Sequence, residues 1–183
     1  HSTSSAASDV YKRQEGRKVK VIERDPTYKN ASFPLSLGGF RRQFFQKENI
    51  LLGKFAKDFI FQLPDILKTE KNPHPTASMV PNGYLLMFGP EHAEEQYRAL
   101  KNHKACEAGT KNIKGSELTN IFPYINNEGI ETATFTDNKT EGWIDPFLFH
   151  AALKSKAAEL GATFVQGQVK NLSGIKAKTM VSA

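Results

Sequence analysis

The chain has 183 residues, of which 39% are hydrophobic and 24% are charged, a composition typical of a globular protein of one domain or a little more. Its net charge of +6 is spread along the sequence, and the densest basic run, GTKNIKG, has two lysines and no aromatic residue, so we expect a solvated basic surface and no nucleic-acid partner. The single cysteine excludes an internal disulfide and a multi-cysteine metal site, and no apolar run approaches the ~20 residues of a membrane span.

Residues 1–14, HSTSSAASDVYKRQ, differ in composition from the rest of the chain. They are rich in serine and alanine, show no apolar period and lack the apolar core of a secretory signal. They resemble sequence read through a cloning adapter. We therefore expect a non-native or disordered leader, followed by native sequence from about Glu15, inside a domain.

The first predicted element is a short buried strand over 18–23, KVKVIE, which ends on Glu23. A carboxylate at the carboxyl end of a strand can accept hydrogen bonds from the hydroxyls of a ribose. Acids are also common at strand ends, and the chain contains no GxGxxG loop. From the residues alone, Glu23 is either an ordinary polar residue or half of a dinucleotide site.

A long loop follows, and it ends in SLGGFRRQFF (36–45). Gly38 and Gly39 allow the backbone to approach a ligand closely. Arg41 and Arg42 can supply charge-assisted hydrogen bonds to a flavin ring or to a substrate carboxylate. The alternative is a simple turn followed by two solvated arginines.

Periodicity and breaker residues predict the remaining elements. In chain order, they are helices over 48–67 and 90–109, with a strand over 83–88 between them, a short helical turn over 115–125, a strand over 129–137, a helix over 145–161 and a strand over 163–172. Pro64 is expected to bend or end the first helix. The strand over 129–137 alternates in polarity, which predicts a half-buried antiparallel strand. Asp145 is the predicted N-cap of the last helix, and Gly161 is its stop.

This order indicates α/β layers at both ends of the chain and an inserted α+β part with an antiparallel sheet in the middle. The first strand has no partner before it, and the last strand has none after it. We expect this pattern from a fragment of a longer protein.

Other chemistries find little support. The histidines are scattered and form no ligand pair, and we interpret His150 as structural. Ser36 has no evident histidine and aspartate partners for a hydrolase triad, and no P-loop occurs. A basic nucleic-acid-binding module remains the weakest alternative.

Five stretches of the chain together resemble one family, in which similar stretches occur in the same order. They are GRKVKVIERD, SLGGFRRQFFQKENILLGKFAKDF, GYLLMF, IFPYIN and EGWIDPFLFHAALKSKAAELGATFVQGQV. This is the family of FAD-dependent oxidoreductases of the D-amino-acid oxidase (DAO) type. The similar branch includes sarcosine- and dimethylglycine-oxidising enzymes and FAD-dependent oxidoreductase domain-containing proteins linked to complex I assembly. The resemblance implies a partial FAD/NAD(P)-binding Rossmann-like domain with part of an antiparallel-sheet substrate domain.

The resemblance also implies roles for individual residues. Glu23 would bind the adenosine ribose with Arg24 beside it, and Val169 would contact the adenine through its backbone. Residues implied near the flavin and its pyrophosphate are Ser36, Gly38, Gly39 and Arg41. Arg41 or Arg42 is the candidate for a catalytic charge. SFPLSLGGF contains no histidine, so we expect non-covalent FAD as far as this segment shows.

The implied domains are a first part of the FAD-binding domain over 15–75, part of the substrate domain over 76–140, and a return to the FAD-binding domain over 141–183. The implied partners are a small-molecule amine or amino acid and an electron acceptor, either O2 or a carrier. The cytoplasm and the mitochondrial matrix are both compatible locations.

The implied reaction is hydride transfer from a carbon next to nitrogen to the flavin. The alternative is a flavin-binding assembly or scaffold protein without metabolic turnover. We expect the 183-residue chain to be inactive by itself.

Overall fold

The structure is a computed structural model that describes residue 16, residues 18–137 and residues 139–171. The expected leader over 1–14 lies outside the described residues. The described strands, in chain order, are β1 Lys20–Glu23, β2 Gly39–Phe40, β3 Leu85–Phe88, β4 Lys111–Lys114, β5 Thr132–Phe135, β6 Gly142–Trp143 and β7 Thr163–Gln166. The described helices are α1 Lys47–Phe61, α2 Leu63–Ile66, α3 Pro90–Ala105, α4 Leu118–Ile121 and α5 Pro146–Glu159. The mixed α and β class predicted from the sequence is confirmed.

The chain divides into two compact units. The first unit takes its described residues from 1–38, 62–78 and 144–183, and the second unit takes them from 39–61 and 79–143. The sequence-based division places 39–61 with the first part of the cofactor domain, whereas contacts place these residues in the second unit. The assignment of cofactor and substrate roles to the two units stays a prediction.

In the first unit, β1 pairs in parallel with β7, in a register that matches Lys20 with Thr163 and Glu23 with Gln166. The first and the last predicted strands, for which the sequence offered no partner before or after them, therefore pair with each other. Since parallel strands need a long crossover, the connection leaves after β1 and returns through α5. This helix contributes a buried face of small and branched residues, namely Ala152, Leu153 and Ala157.

Helix α5 begins and ends as the sequence predicts. One carboxylate oxygen of Asp145, Oδ1, accepts hydrogen bonds from the backbone N–H groups of Phe147 at 2.8 Å and Leu148 at 3.0 Å. Pro146 occupies the first turn, where its missing N–H has no intrahelical partner to lose. Gly161 follows the helix with φ +92°, a left-handed conformation that favours glycine.

The main sheet of the second unit has the order β3-β5-β4 and is antiparallel throughout. The expectation of a half-buried strand over 129–137 is wrong, because β5 is central and its Thr132, Ala133 and Thr134 are all buried. The alternation of threonine with small apolar residues predicted a strand with one buried and one exposed face. It is equally compatible with a strand buried on both faces, since threonine can hydrogen-bond inside the protein.

The sequence analysis did not predict three strands. Strand β4, KNIK, reads as a basic loop and becomes a strand through its pairing with β5. Strands β2 and β6 have two residues each and pair antiparallel, with Gly39 opposite Trp143. Such short pairs carry no period that a sequence pattern can reveal.

The long helix predicted over 48–67 is in fact two helices. Helix α1 ends at Phe61, and Pro64 lies in the first turn of α2. The buried residues of α1 are Ile50, Gly53 and Ile60. The apolar residues that predicted the helix include Leu51, Leu52 and Phe55, which are mostly exposed. Among the described residues, no helix combines the length and the apolar character needed to cross a membrane.

We expect Asp145→Ala to lower the free energy of unfolding by about 1 kcal/mol, because two N–H groups at the start of α5 would lose their acceptor. Chemical denaturation of the variant and the wild type measures the difference. Asp145→Asn is the matched control, since asparagine caps helices about as well as aspartate. Equal losses in both variants would contradict a role of Asp145 as a cap.

Candidate functional site

Glu23 is the last residue of β1 and lies half-buried at the carboxyl end of the parallel pair. Its Oε1 accepts a hydrogen bond from the backbone N–H of Asp25 at 2.8 Å. Its carbonyl oxygen accepts from the N–H of Gly167 at 2.9 Å, just beyond the end of β7. These two hydrogen bonds therefore hold both the side chain and the backbone of Glu23 at the end of β1.

Three side chains of the first unit, which the sequence analysis did not connect with one another, lie close together. The rings of Tyr28 and His150 lie 4.2 Å apart between centroids, tilted by 56°. The Nζ of Lys154 lies 4.6 Å from the centroid of the Tyr28 ring and 5.4 Å from that of Phe164, within the range of cation–π attraction. Tyr28 itself has φ +57°, which is uncommon for an aromatic residue.

The environment lowers the pKa of His150. Burial is the main cause, because it disfavours the charged imidazolium, and the ammonium of Lys154 acts in the same direction. The carboxylate of Glu23 acts in the opposite direction and raises the pKa. His150 is therefore coupled electrostatically to the candidate ribose acceptor, a relation that no sequence spacing indicated.

Ser36 and Gly38 belong to the first unit. The Oγ of Ser36 accepts from the N–H of Gly38 at 3.2 Å, and the carbonyl of Gly38 accepts from the N–H of Ile144 at 3.0 Å. Gly38 has φ +65°, and a Cβ built on it would collide with the carbonyl oxygen of Ile144. Glycine is required here by the protein's own backbone.

Gly39 and Arg41 belong to the second unit. A Cβ on Gly39 would collide with the hydroxyl oxygen of Tyr84. The side chain of Arg41 is exposed, and its guanidinium carbon lies 4.9 Å from the centroid of the Phe44 ring. This distance lies within the range of cation–π attraction.

Arg42 differs from its neighbour, because it is only 8% exposed. The alternative of two solvated arginines is therefore wrong for Arg42. Its guanidinium lies next to Gly109, with Nη2 3.1 Å from the position that a Cβ on that glycine would take. The Nε atom of Arg42 has no hydrogen-bond partner among the described residues. The two arginines thus face different environments although they are adjacent in sequence.

The sequence analysis missed the buried carboxylate of Glu141, which is 0% exposed. Its Oε1 accepts from the backbone N–H groups of Arg42 and Gln43, and its Oε2 accepts from Gln43 Nε2 at 2.9 Å and from Thr136 Oγ1 at 2.8 Å. In the sequence Glu141 is one acid among many at a loop end, and no pattern separates it from a solvated one.

The remaining predicted site residues lie in exposed chain. Arg24 is exposed directly after β1, and Val169 is exposed in the coil after β7. The described residues contain no group of three or more histidine, cysteine, aspartate or glutamate side chains that could hold a metal ion.

Comparisons with known proteins point to one family. The family model for DAO, described as FAD dependent oxidoreductase, matches residues 4–181. A relative from Bos taurus, FAD-dependent oxidoreductase domain-containing protein 1, is 34% identical over 158 residues, which are 86% of this chain and 32% of the relative. The chain therefore spans about a third of the length of this relative.

Two solved structures share the fold. L-proline dehydrogenase from P. horikoshii superimposes with a TM-score of 0.68 at 23% identity, over 88% of this chain and 40% of that chain. Glycine oxidase from Geobacillus kaustophilus gives a TM-score of 0.69 at 16% identity, over 88% of this chain and 43% of that chain.

The lowered pKa of His150 makes stability depend on pH. Below its ordinary pKa of about 6.5, the unfolded chain takes up a proton that the folded protein resists, so the free energy of unfolding falls as pH falls from 7 to 5. We expect His150→Phe, which keeps a ring against Tyr28, to show a smaller fall than the wild type.

Unfolding transitions at pH 7.5, 6.5 and 5.5 measure this dependence. His74→Asn is the control, because His74 is exposed and should leave the wild-type slope unchanged. An undiminished fall in His150→Phe would show that other groups cause the pH dependence.

Proposed function

The chain belongs to the DAO family of FAD-dependent oxidoreductases, and on this basis we propose that the protein oxidises a carbon–nitrogen bond of an amino acid or of a secondary or tertiary amine. The chain corresponds to about a third of its relative, so this activity belongs to a protein that carries the complete family domain. The observation that carries the proposal is the position of Glu23 at the carboxyl end of a parallel strand pair.

Glu23 fits the adenosine end of FAD. One carboxylate oxygen is held by the N–H of Asp25, and the structure records no hydrogen bond to the other oxygen from any described residue. This second oxygen can accept a hydrogen bond from a ribose hydroxyl, which is the role of strand-end acids in dinucleotide sites. Arg24 and Val169 remain candidates for contacts to the ribose and the adenine.

Bound FAD would supply the two-electron oxidation of the carbon–nitrogen bond, and water would hydrolyse the resulting imine or iminium product. The contribution of this chain is to bind and to orient. The exposed guanidinium of Arg41, which lies over the Phe44 ring, offers a positive charge for a substrate carboxylate or for the flavin. Arg42 is the second candidate, since its buried Nε has no partner among the described residues.

The substrate class is supported by the names of the two similar structures, a proline dehydrogenase and a glycine oxidase. Both names denote oxidation at a carbon that carries nitrogen. The electron acceptor in our proposal is O2 or a carrier.

Anaerobic mixing of the FAD-loaded full-length protein with L-proline, glycine or N-methylglycine tests this proposal. We expect at least one of them to bleach the flavin absorption, because substrate oxidation reduces the flavin. A flavin-loaded protein that no amine or amino acid bleaches would contradict the proposal and favour a flavin-binding scaffold without turnover.

We expect Arg41→Ala in the full-length protein to lower kcat/KM or the fraction of bound FAD by about 10- to 100-fold, the effect of losing a charge-assisted hydrogen bond. Arg98→Ala is the matched control, since Arg98 is an exposed arginine of the same unit paired with Glu94. Unchanged turnover and unchanged flavin content in Arg41→Ala would remove Arg41 from the site.

A further inference from the structure

The segment Gly39–Phe45, which we call the anchored segment, has little regular secondary structure to hold it. Only Gly39 and Phe40 form strand pairs, as β2. Arg42 and Gln43 are nevertheless almost completely buried. Their backbone N–H groups would be costly to leave unpaired, since a buried unsatisfied donor costs about 1–3 kcal/mol.

Glu141 satisfies both of these N–H groups with one oxygen, Oε1. Its other oxygen accepts from Gln43 Nε2 and from Thr136 Oγ1. All four partners are donors, and an ionised carboxylate is the side chain that offers only acceptor sites and about four of them. Glu141 thus takes the place that a neighbouring strand would take along this stretch.

The carbonyl side of the anchored segment is held in a similar way by the end of α3. The Nε2–H of His103 donates to the carbonyl of Phe44 at 2.8 Å, and the amide of Asn102 donates to the carbonyl of Phe45 at 2.8 Å. The Nε2 of Gln43 also donates to the carbonyl of Tyr84 at 3.1 Å. Side chains from separate parts of the second unit therefore fix the backbone immediately after Arg41.

We propose that Glu141 is a positioning residue that holds the anchored segment and so sets the place of Gly39 and Arg41. This inference rests on the proposed function, in which these residues face the flavin or the substrate. Glu141 itself is completely buried and acts only through the backbone of Arg42 and Gln43. Loss of its carboxylate releases the segment and moves the charge of Arg41 from its working position.

Three variants of the full-length protein test the proposal. Glu141→Ala removes every acceptor. Glu141→Gln keeps one oxygen for the two backbone N–H groups but puts an N–H₂ donor where Oε2 accepts from Gln43 Nε2 and Thr136 Oγ1. Gln96→Ala is the control, because Gln96 is equally buried in the same unit but donates to Thr134 in the three-stranded sheet.

The first measurement is backbone amide hydrogen exchange, which reads local opening whether or not flavin is present. We expect Glu141→Ala to speed exchange in peptides covering 39–45 by about tenfold, and Glu141→Gln to speed it less, because it keeps an acceptor for the two backbone N–H groups. Gln96→Ala should speed exchange in the sheet peptides instead. An unchanged rate over 39–45 in Glu141→Ala, or a rise there no larger than in the other peptides of the second unit, would overturn the anchoring role.

The second measurement is flavin content, flavin absorption and turnover of the same variants. We expect Glu141→Ala to shift the flavin spectrum and to lower kcat by about tenfold or more, Glu141→Gln to change both less, and Gln96→Ala to change neither. Altered exchange with an unaltered spectrum and turnover would overturn the positioning role. A wild-type protein that binds no FAD would instead refute the proposed function. The hydrogen-exchange measurement would then decide by itself whether Glu141 anchors the segment.

Discussion

The parallel pairing of β1 with β7 is the constraint on which the first unit depends. The paired residues are far apart in sequence, and parallel strands cannot be joined by a tight turn. The chain must therefore leave at Glu23 and come back in the same direction, which it does through the capped helix α5. This pairing places Glu23 at the carboxyl end of the sheet, where ligands of open α/β sheets bind.

A different physical requirement organises the second unit, the need to satisfy buried backbone groups. In its three-stranded sheet, pairing between the strands satisfies the backbone groups in the ordinary way. The anchored segment has only a two-residue strand, and its buried N–H groups depend on one carboxylate. A single side chain thereby gains an influence on local geometry that is usually spread over a ladder of hydrogen bonds.

The candidate residues of each unit include some that sequence reasoning predicted and others that it missed. Glu23, Gly38, Gly39 and Arg41 were predicted because strand ends, glycine pairs and arginines carry recognisable signals. The glycines illustrate the limit of such signals, since both are required by internal collisions with Ile144 and Tyr84. Folding brings Tyr28 against His150, whose pKa responds to the charge of Glu23, and Glu141 became distinctive only when the structure showed its complete burial.

The sequence by itself determined the elements whose signals are local. It determined the strand ending at Glu23, the start and end of α5 at Asp145 and Gly161, and the order of motifs that reveals the family. Caps, breakers and short apolar runs act within a few residues, so the pattern alone exposes them. The tertiary structure decided the features that depend on distant partners. These are the pairing of β1 with β7, the strand character of KNIK, the burial of β5, and the burial of Arg42 beside an exposed Arg41. These features arise from hydrogen bonds and burial between segments far apart in the chain, and such contacts leave no periodic trace in the sequence.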